Sequence, residues 1–525
     1  MRPGGAAGRS AGRVASGFAA LALGALGCGA RTGLVVADDA GTPDAPVCLI
    51  DADCVGADLC EVVRCDAGKC VDAGPLGCDD ADPCTADACD ATKGGCTHAP
   101  VTLDLDRDGH RAPLPGHAAG DTGACGDDCD DTNAGALPGG RESCDGVDND
   151  CNGVVDDGAR YEPTGADALR VSGDLSPASP GGVAWTGTSY VATYSGEVAG
   201  KSGVYTSGLT SDGAIARAEA KLTLVPSDAS GGSTAWTGDR LGVAWSDRRD
   251  ANYEIYFATL APDGQKLAAD VRVTRAPGFS INPSLVWTGN EFVVAWEDDR
   301  AGNFQIWGRR IALDGSLLGS ETQATRLSAS QDESPVLAAG AHGLGLAWTR
   351  VVAGQTSVWF ASLDPLLKER ASALEVTSGL QGAFPTIAWN RDAYLVAWYE
   401  TDLAPRAVYG AALSEDCARV TAARALTDSP RHSRYPALLP LGDRALLVWS
   451  DDKDANQGYE LYSKMLDGHL ASALGPESRI TRATGDSVMP YAAFGPAGDV
   501  GVLFRDDRAG GPEVYFSHLA CQAGP

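Results

Sequence analysis

Histidine is scarce in this chain, seven in 525 residues, which removes the commonest general acid–base group from most of the molecule. No G-x-S-x-G, H-E-x-x-H or C-x-x-C-H occurs, so no nucleophile elbow, zincin helix or haem attachment is expected. Basic residues are few as well. The 41 Lys and Arg face 70 Asp and Glu, a net charge of −29, which excludes nucleic acid and anionic membrane surfaces as natural partners and favours cations. The apolar stretch from about Val14 to Leu26 is too short to span a bilayer but has the length of a signal h-region, with Arg2, Arg9 and Arg13 ahead of it. Cysteine nearly vanishes after residue 151, where only Cys417 and Cys521 remain of sixteen. The clustering of the other fourteen predicts disulfides and an oxidising compartment.

The chain is too long for one ordinary core, and its composition divides it. Residues 1–27 read as a signal peptide, 28–47 as a small, polar tether, 48–100 as cysteine-rich modules, 101–160 as an acidic segment and 165–525 as a repeat domain. The residues Ala25-Leu26-Gly27-Cys28 resemble a bacterial lipobox. That resemblance implies cleavage before Cys28, lipidation of its thiol and, with Gly29 following, passage to the outer membrane or cell surface.

In the modules, Cys54, Cys60, Cys65 and Cys70 repeat as Cys78, Cys84, Cys89 and Cys96, in the spacing C-x5-C-x4-C. Pieces this short need staples, and disulfides are expected ahead of zinc because the spacings are wider than most zinc knuckles. Each copy, and the acidic segment with Cys125, Cys129, Cys144 and Cys151, is expected to pair internally, with connectivity open. The second copy, CDDADPCTADACDATKGGCTHAP, resembles cysteine-rich repeats of extracellular proteins.

From Asp104 to Asp157 there are thirteen Asp and one Glu against three Arg and no Lys, a charge that needs cations to fold. Asp104, Asp106 and Asp108 precede Gly109, and Asp148, Asp150 and Asn152 precede Gly153, with Asp156 and Asp157 following. Alternating oxygen donors before a glycine turn suit Ca²⁺, and Asp128, Asp130 and Asp131 offer more. The twelfth loop positions hold Pro115 and Ala159, which excludes an EF-hand proper. Residues 128–158, DCDDTNAGALPGGRESCDGVDNDCNGVVDDG, resemble the metal-binding repeat named after the bacterial surface protein MopE. The name implies copper, but the donors are carboxylates, so Ca²⁺ is the expected ion and copper is not. A metal-free disulfide knot is the alternative.

The remainder repeats seven times. An aromatic recurs at Tyr194, Trp245, Trp296, Trp348, Trp398, Trp449 and Phe504, and an aliphatic marker at Val204, Ile255, Ile306, Val358, Val408, Leu461 and Val514. Alternating apolar runs separated by Gly and Asp turns predict four short antiparallel strands, A to D, per unit. The expectation is therefore an all-β chain ending in a seven-bladed β-propeller. The last unit lacks a strand D, and residues 167–172 match one, so an N-terminal strand is expected to close the ring. The periodic aromatics read as packing between blades. The turns after strand B, with Asp247, Arg249, Asp298, Arg300, Asp451, Asp506 and Arg508, read chiefly as hairpin caps, or else as a polar binding rim around the channel.

Gly196–Ser202 looks like a P-loop but is one residue short and lies in a strand turn. The Asp-box of sialidases, S-x-D-x-G-x-T-W, is absent. The whole pattern resembles large surface lipoproteins of myxobacterial type. That resemblance covers architecture, not activity. With no catalytic motif in the chain, the expectation is an envelope protein whose propeller binds a protein or glycan without catalysis. It touches membrane only through its lipid and takes no nucleic acid. An extracellular glycan hydrolase or lyase is the alternative. Cys417 and Cys521, a whole blade apart, are expected not to bond to each other, and Cys521 is expected to reach toward Cys48 if anything.

Overall fold

A computed structural model describes residues 48–56, 59–165, 167–223, 228–326, 329–402, 404–454 and 458–523. The stretches expected to be signal peptide and tether, with Cys28, lie outside the described residues. The described residues form two compact units, one within residues 1–81 and 87–99, the other within residues 82–86 and 100–525. Among the described residues helix is confined to two 3₁₀ turns, Asp51–Asp53 and Pro496–Gly498.

The first unit is held by disulfides more than by apolar burial. Its strands Glu61–Asp66 and Lys69–Pro75 form a hairpin around Ala67-Gly68, both at positive φ as a tight two-residue turn requires. The register sets Cys65 opposite Cys70, yet each is bonded away from the hairpin, to Cys48 and Cys54. Cys60–Cys89 then joins the two copies, and Cys78–Cys96 staples the second. Internal pairing thus holds for Cys54–Cys70 and Cys78–Cys96 and is corrected for the other two cysteines of each copy. Cys48 takes the Cys65 that the first copy was expected to use itself, which frees Cys60 to cross to the second copy.

The second unit contains the propeller. Six sheets of four antiparallel strands and a seventh of five follow one another along the chain. In the third blade, strands A to D are Ser280–Trp287, Phe292–Asp298, Gln305–Ile311 and Leu317–Gln323. Strand B begins as a continuous apolar run whose successive side chains point to opposite faces, so Phe292, Val294 and Trp296 pack on the second blade and Val293 and Ala295 on the fourth. Seven apolar clusters lie between successive blades. One of them joins Val171, Tyr190 and Tyr194 at the start of the ring to Leu503, Val514 and Phe516 at its end. All seven periodic aromatics are buried, as blade packing requires.

Leu169–Arg170 pairs with Phe516 and Tyr515 of the last strand C and so occupies the strand D position. Ser172 repeats a contact found in other blades. Its hydroxyl accepts the Val514 N–H at 3.1 Å, as Thr274 accepts that of Ile255 at 2.8 Å and Thr325 that of Ile306 at 2.9 Å. The chain also enters the sheet earlier than expected. Arg160–Pro163 adds a further segment along Leu519–Gln522, beyond the reach of the two-residue strand D. That pairing places Cys521 opposite Tyr161 at the edge of the acidic segment, where it bonds to Cys144. Cys521 therefore does not reach Cys48, and the acidic segment does not pair internally. Only Cys129–Cys151 does so, while Cys125 bonds to Cys84. Cys417 is free and buried, and is not bonded to Cys521.

Candidate functional site

Two acidic loops and the face of the propeller hold the chemistry. In the first loop, backbone at positive φ at Arg107 and Gly109 turns the chain so that alternate side chains converge. Carboxylate oxygens of Asp104, Asp106 and Asp108 lie within 4.8 Å of one another, and those of Asp106, Asp128 and Asp131 do the same. Each acid spends one oxygen on the loop. Asp104 accepts the Arg107 N–H at 2.6 Å, Asp108 that of His110 at 2.8 Å, Asp131 that of Leu105 at 2.9 Å and Asp128 that of Asp130 at 2.8 Å. The other oxygens, Oδ2 of Asp106, Asp108 and Asp128, are buried without a hydrogen-bond partner. Asp128 is fully buried, and that burial, with Asp108, Asp106 and Asp131 beside it, pushes its carboxyl up. A group this costly persists where a cation neutralises it. Asp130 turns aside to cap its own turn through Thr132.

In the second loop the predicted donors fold onto one another. Asp148 accepts the N–H groups of Asn152 at 3.1 Å and Gly153 at 2.8 Å, and the Asn152 amide bridges Asp150 and Asp157. Sequence reasoning passed over Glu142. It is 3% exposed, accepts the Asp150 N–H at 2.8 Å and leaves its second oxygen without a hydrogen bond. Burial, with Asp150 and Asp148 adding to it, pushes its carboxyl up to about 7. Its place inside the matched acidic stretch, two residues before Cys144, was the available signal.

Asp156 corrects another expectation. It is fully buried, accepts the Gly146 N–H at 3.2 Å and is paired with Arg444 from strand B of the sixth blade. A guanidinium therefore meets the carboxylate that the spacing assigned to a metal. Arg444 is itself buried, and Asp145 and Glu142 also bear on it. The acidic segment docks on the propeller through this pair and through Cys144–Cys521.

On the propeller the rim reading fails for the aspartates. Asp247, Asp298, Asp451 and Asp506 are at most 1% exposed. Asp298 accepts the Trp296 indole N–H at 2.9 Å, the Ser280 hydroxyl at 2.8 Å and the Arg300 guanidinium at 2.6 Å. Burial alone would push the Asp298 carboxyl up, but Arg300, Trp296 and Ser280 together hold it below the ordinary range. Arg300 also lies 4.2 Å over the Trp307 ring, as Arg249 lies over Tyr256 and, at 4.5 Å, Arg508 over Tyr515. These residues cross-link strands A, B and C of one blade and present no carboxylate to a ligand. The fourth blade makes the same link with the charges exchanged. Asp332 of strand A, in the place of Ser280, receives Arg350 of strand B at 2.7 and 2.9 Å.

The MopE-type metal-binding motif matches residues 128–157, and a Dictyostelium (slime mold) repeat matches residues 77–101. The protein psiQ of Dictyostelium discoideum is 38% identical over 76 residues, which are 14% of this chain. The chain spans 8% of the length of that relative. Among solved structures, a protein of unknown function from Dyadobacter fermentans is 14% identical, with a TM-score of 0.42 over 55% of this chain and 94% of that one. An endo-arabinase from Bacteroides thetaiotaomicron is 13% identical, with a TM-score of 0.31 over 45% of this chain and 92% of that one. At these scores neither likeness carries an argument about activity.

Proposed function

We propose that this protein displays its propeller at the cell envelope as a non-catalytic binding module, carried on an acidic segment stabilised by Ca²⁺ and anchored through lipid on Cys28. Seven disulfides among the described residues support an oxidising, extracytoplasmic setting. No helix among the described residues is long and apolar enough to cross a membrane. One observation carries the metal reading. The unpartnered, fully buried Asp128 oxygen belongs to the Asp106–Asp131 cluster, a donor set made only of carboxylates. Hard oxygen donors favour Ca²⁺ over copper, which prefers imidazole or sulfur. Asp104, Asp106, Asp108, Asp128 and Asp131 would hold the ion.

Calorimetric titration of the disulfide-intact chain is expected to show Ca²⁺ binding with a Kd of about 10⁻⁴ to 10⁻³ M, the range of extracellular modules. Asp128→Asn should abolish the heat of that site while leaving the disulfides intact. No heat at millimolar Ca²⁺, or a tighter, Asp128-dependent uptake of Cu²⁺, overturns the assignment.

A further inference from the structure

The innermost strands of the seven blades line a central cavity of about 510 Å³. Each of these strands carries a bulge at the same place, and in the second to seventh blades the bulged residue has positive φ. In the third to seventh blades a proline follows it. Proline is tolerated there because the extra residue of a bulge leaves the ladder and needs no N–H.

What occupies the bulge divides the ring. The second and third blades use Gly231 and Asn282, the residue types that adopt positive φ most cheaply. The fifth, sixth and seventh use Phe384, Tyr435 and Met489, at φ of 51°, 51° and 57°. A bulky side chain in that region is strained, and such strain is retained where the surroundings or a function demand the side chain. Burial does not explain these rings. Phe384 is 50% exposed, and Tyr491 of the seventh blade, which lines the same cavity, is 38% exposed.

The fifth and sixth blades thus build an aromatic crescent, with Met489 of the seventh lining the same cavity. Phe384 stacks flat on Tyr399 at 5.7 Å, and Tyr435 closes edge-on against both. Beside it, Arg434 lies 4.7 Å over the Tyr459 ring, and both Arg434 and Arg406 bear on Tyr399 and Tyr459. Among the described residues neither arginine makes an ion pair, although the chain carries 29 excess negative charges and the adjacent Arg431 has taken Asp452. Elsewhere the cavity is lined by Ser233, Asn282, Ser284 and Ser334, of which the Ser233 and Ser284 hydroxyls accept the Leu285 and Leu337 N–H groups of the next blade and the Asn282 amide donates to Glu297.

We propose that this crescent binds the uronate residue of an acidic glycan. The ring's C–H face lies on Phe384 and Tyr435, and its carboxylate meets Arg434 and Arg406. The proposal rests on the reading of the propeller as a binding module and names its site and ligand chemistry. Aromatic faces supply contact area, and arginine supplies two-pronged recognition of a carboxylate. A proline-rich peptide would use the aromatic wall but leave both arginines unused.

The test uses the full, disulfide-intact chain in millimolar Ca²⁺ with trigalacturonate as probe. Its methyl ester and a proline-rich decapeptide are the comparisons, and binding is read by calorimetry and saturation-transfer NMR. Trigalacturonate is expected to bind, the methyl ester at least about tenfold more weakly, and the preference for the acid to disappear in Arg434→Gln. Phe384→Asn, which places in the fifth blade the residue type the third already uses, should weaken binding at least about tenfold with the melting temperature held or raised. Failure of trigalacturonate to bind at millimolar concentration overturns the proposal, as does binding of the peptide alone. A fall in melting temperature in Phe384→Asn overturns it too, because the ring would then serve packing. Loss of sugar binding with Ca²⁺ binding intact removes this site and leaves the metal assignment standing.

Discussion

Removing one aspartate from the third blade tests whether the repeated Trp-x-Asp-x-Arg turn holds the propeller together. Asp298 is buried and receives the Trp296 indole, the Ser280 hydroxyl and the Arg300 guanidinium. Asp298→Ala leaves all three donors without that acceptor. Breaking a buried ion pair by deleting one partner costs about 3–5 kcal/mol. Arg300 keeps Glu321 and the Trp307 face, so the lower end, about 3 kcal/mol, is expected. Urea unfolding followed by tryptophan fluorescence reads the loss. Deleting Arg300 as well should recover part of it, because no uncompensated cation remains. The fourth blade supplies a second arm. Arg350→Ala strands the buried Asp332 and should cost a similar amount, which Asp332→Ser relieves by installing the residue found at Ser280. The folded Asp298 carboxyl lies below its ordinary value, so its contribution is present above the unfolded pKa of about 3.9. It is lost as pH falls through the lower folded value. The gap between wild type and Asp298→Ala should therefore close in acid. A loss under about 1 kcal/mol, the worth of an exposed ion pair, would refute the reasoning and return the turns to the surface.

Non-reducing peptide mapping should recover a Cys144–Cys521 peptide, and Cys521→Ser should lower stability by about 2–5 kcal/mol, since that bond closes a separation of 377 residues. A Cys48–Cys521 or Cys417–Cys521 peptide would contradict the register of the last blade. Mass spectrometry of the membrane fraction should find a lipidated Cys28 at the mature N-terminus. A mature chain starting elsewhere, or one freely soluble, removes the anchor.

The blade count and the closing strand were legible because both are periodic. The same aromatic, aliphatic and strand D positions recur at nearly constant steps, and residues 167–172 repeat a pattern already seen in the second blade. The buried role of the turn aspartates was half legible. Their spacing from the tryptophan is constant, but only the fold shows that Ser280, Ser433 and Ser487 stand opposite them across the A–B ladder. The exchange of charges in the fourth blade breaks the spacing, so a reading by motif passes over Asp332 and Arg350. The channel crescent was not legible at all. Phe384, Tyr435 and Met489 share a position, but only the bulge and its positive φ distinguish that position from ordinary strand.

The acidic segment was read as a separate spacer because its composition differs so sharply from the repeats. Composition reports solvent preference, and here it misplaced the boundary. Arg160–Pro163 is already part of the last sheet, and Gly158 donates its N–H to Leu474 of the sixth blade at 3.0 Å. Arg444, a propeller residue, neutralises Asp156 inside the acidic loops. Both loops lack a twelfth-position carboxylate, but the second recruits a cation from its neighbour in space, and its charge is balanced partly by protein. The first loop has no such guanidinium among the described residues, and three of its carboxylate oxygens remain buried without a partner. By this argument the two loops differ in need. Among the described residues the first has no guanidinium and depends on a bound cation, whereas in the second Asp156 already meets Arg444 and only Glu142 keeps an unpartnered oxygen. That is why Asp128 and not Asp156 is the residue whose loss should silence Ca²⁺ binding.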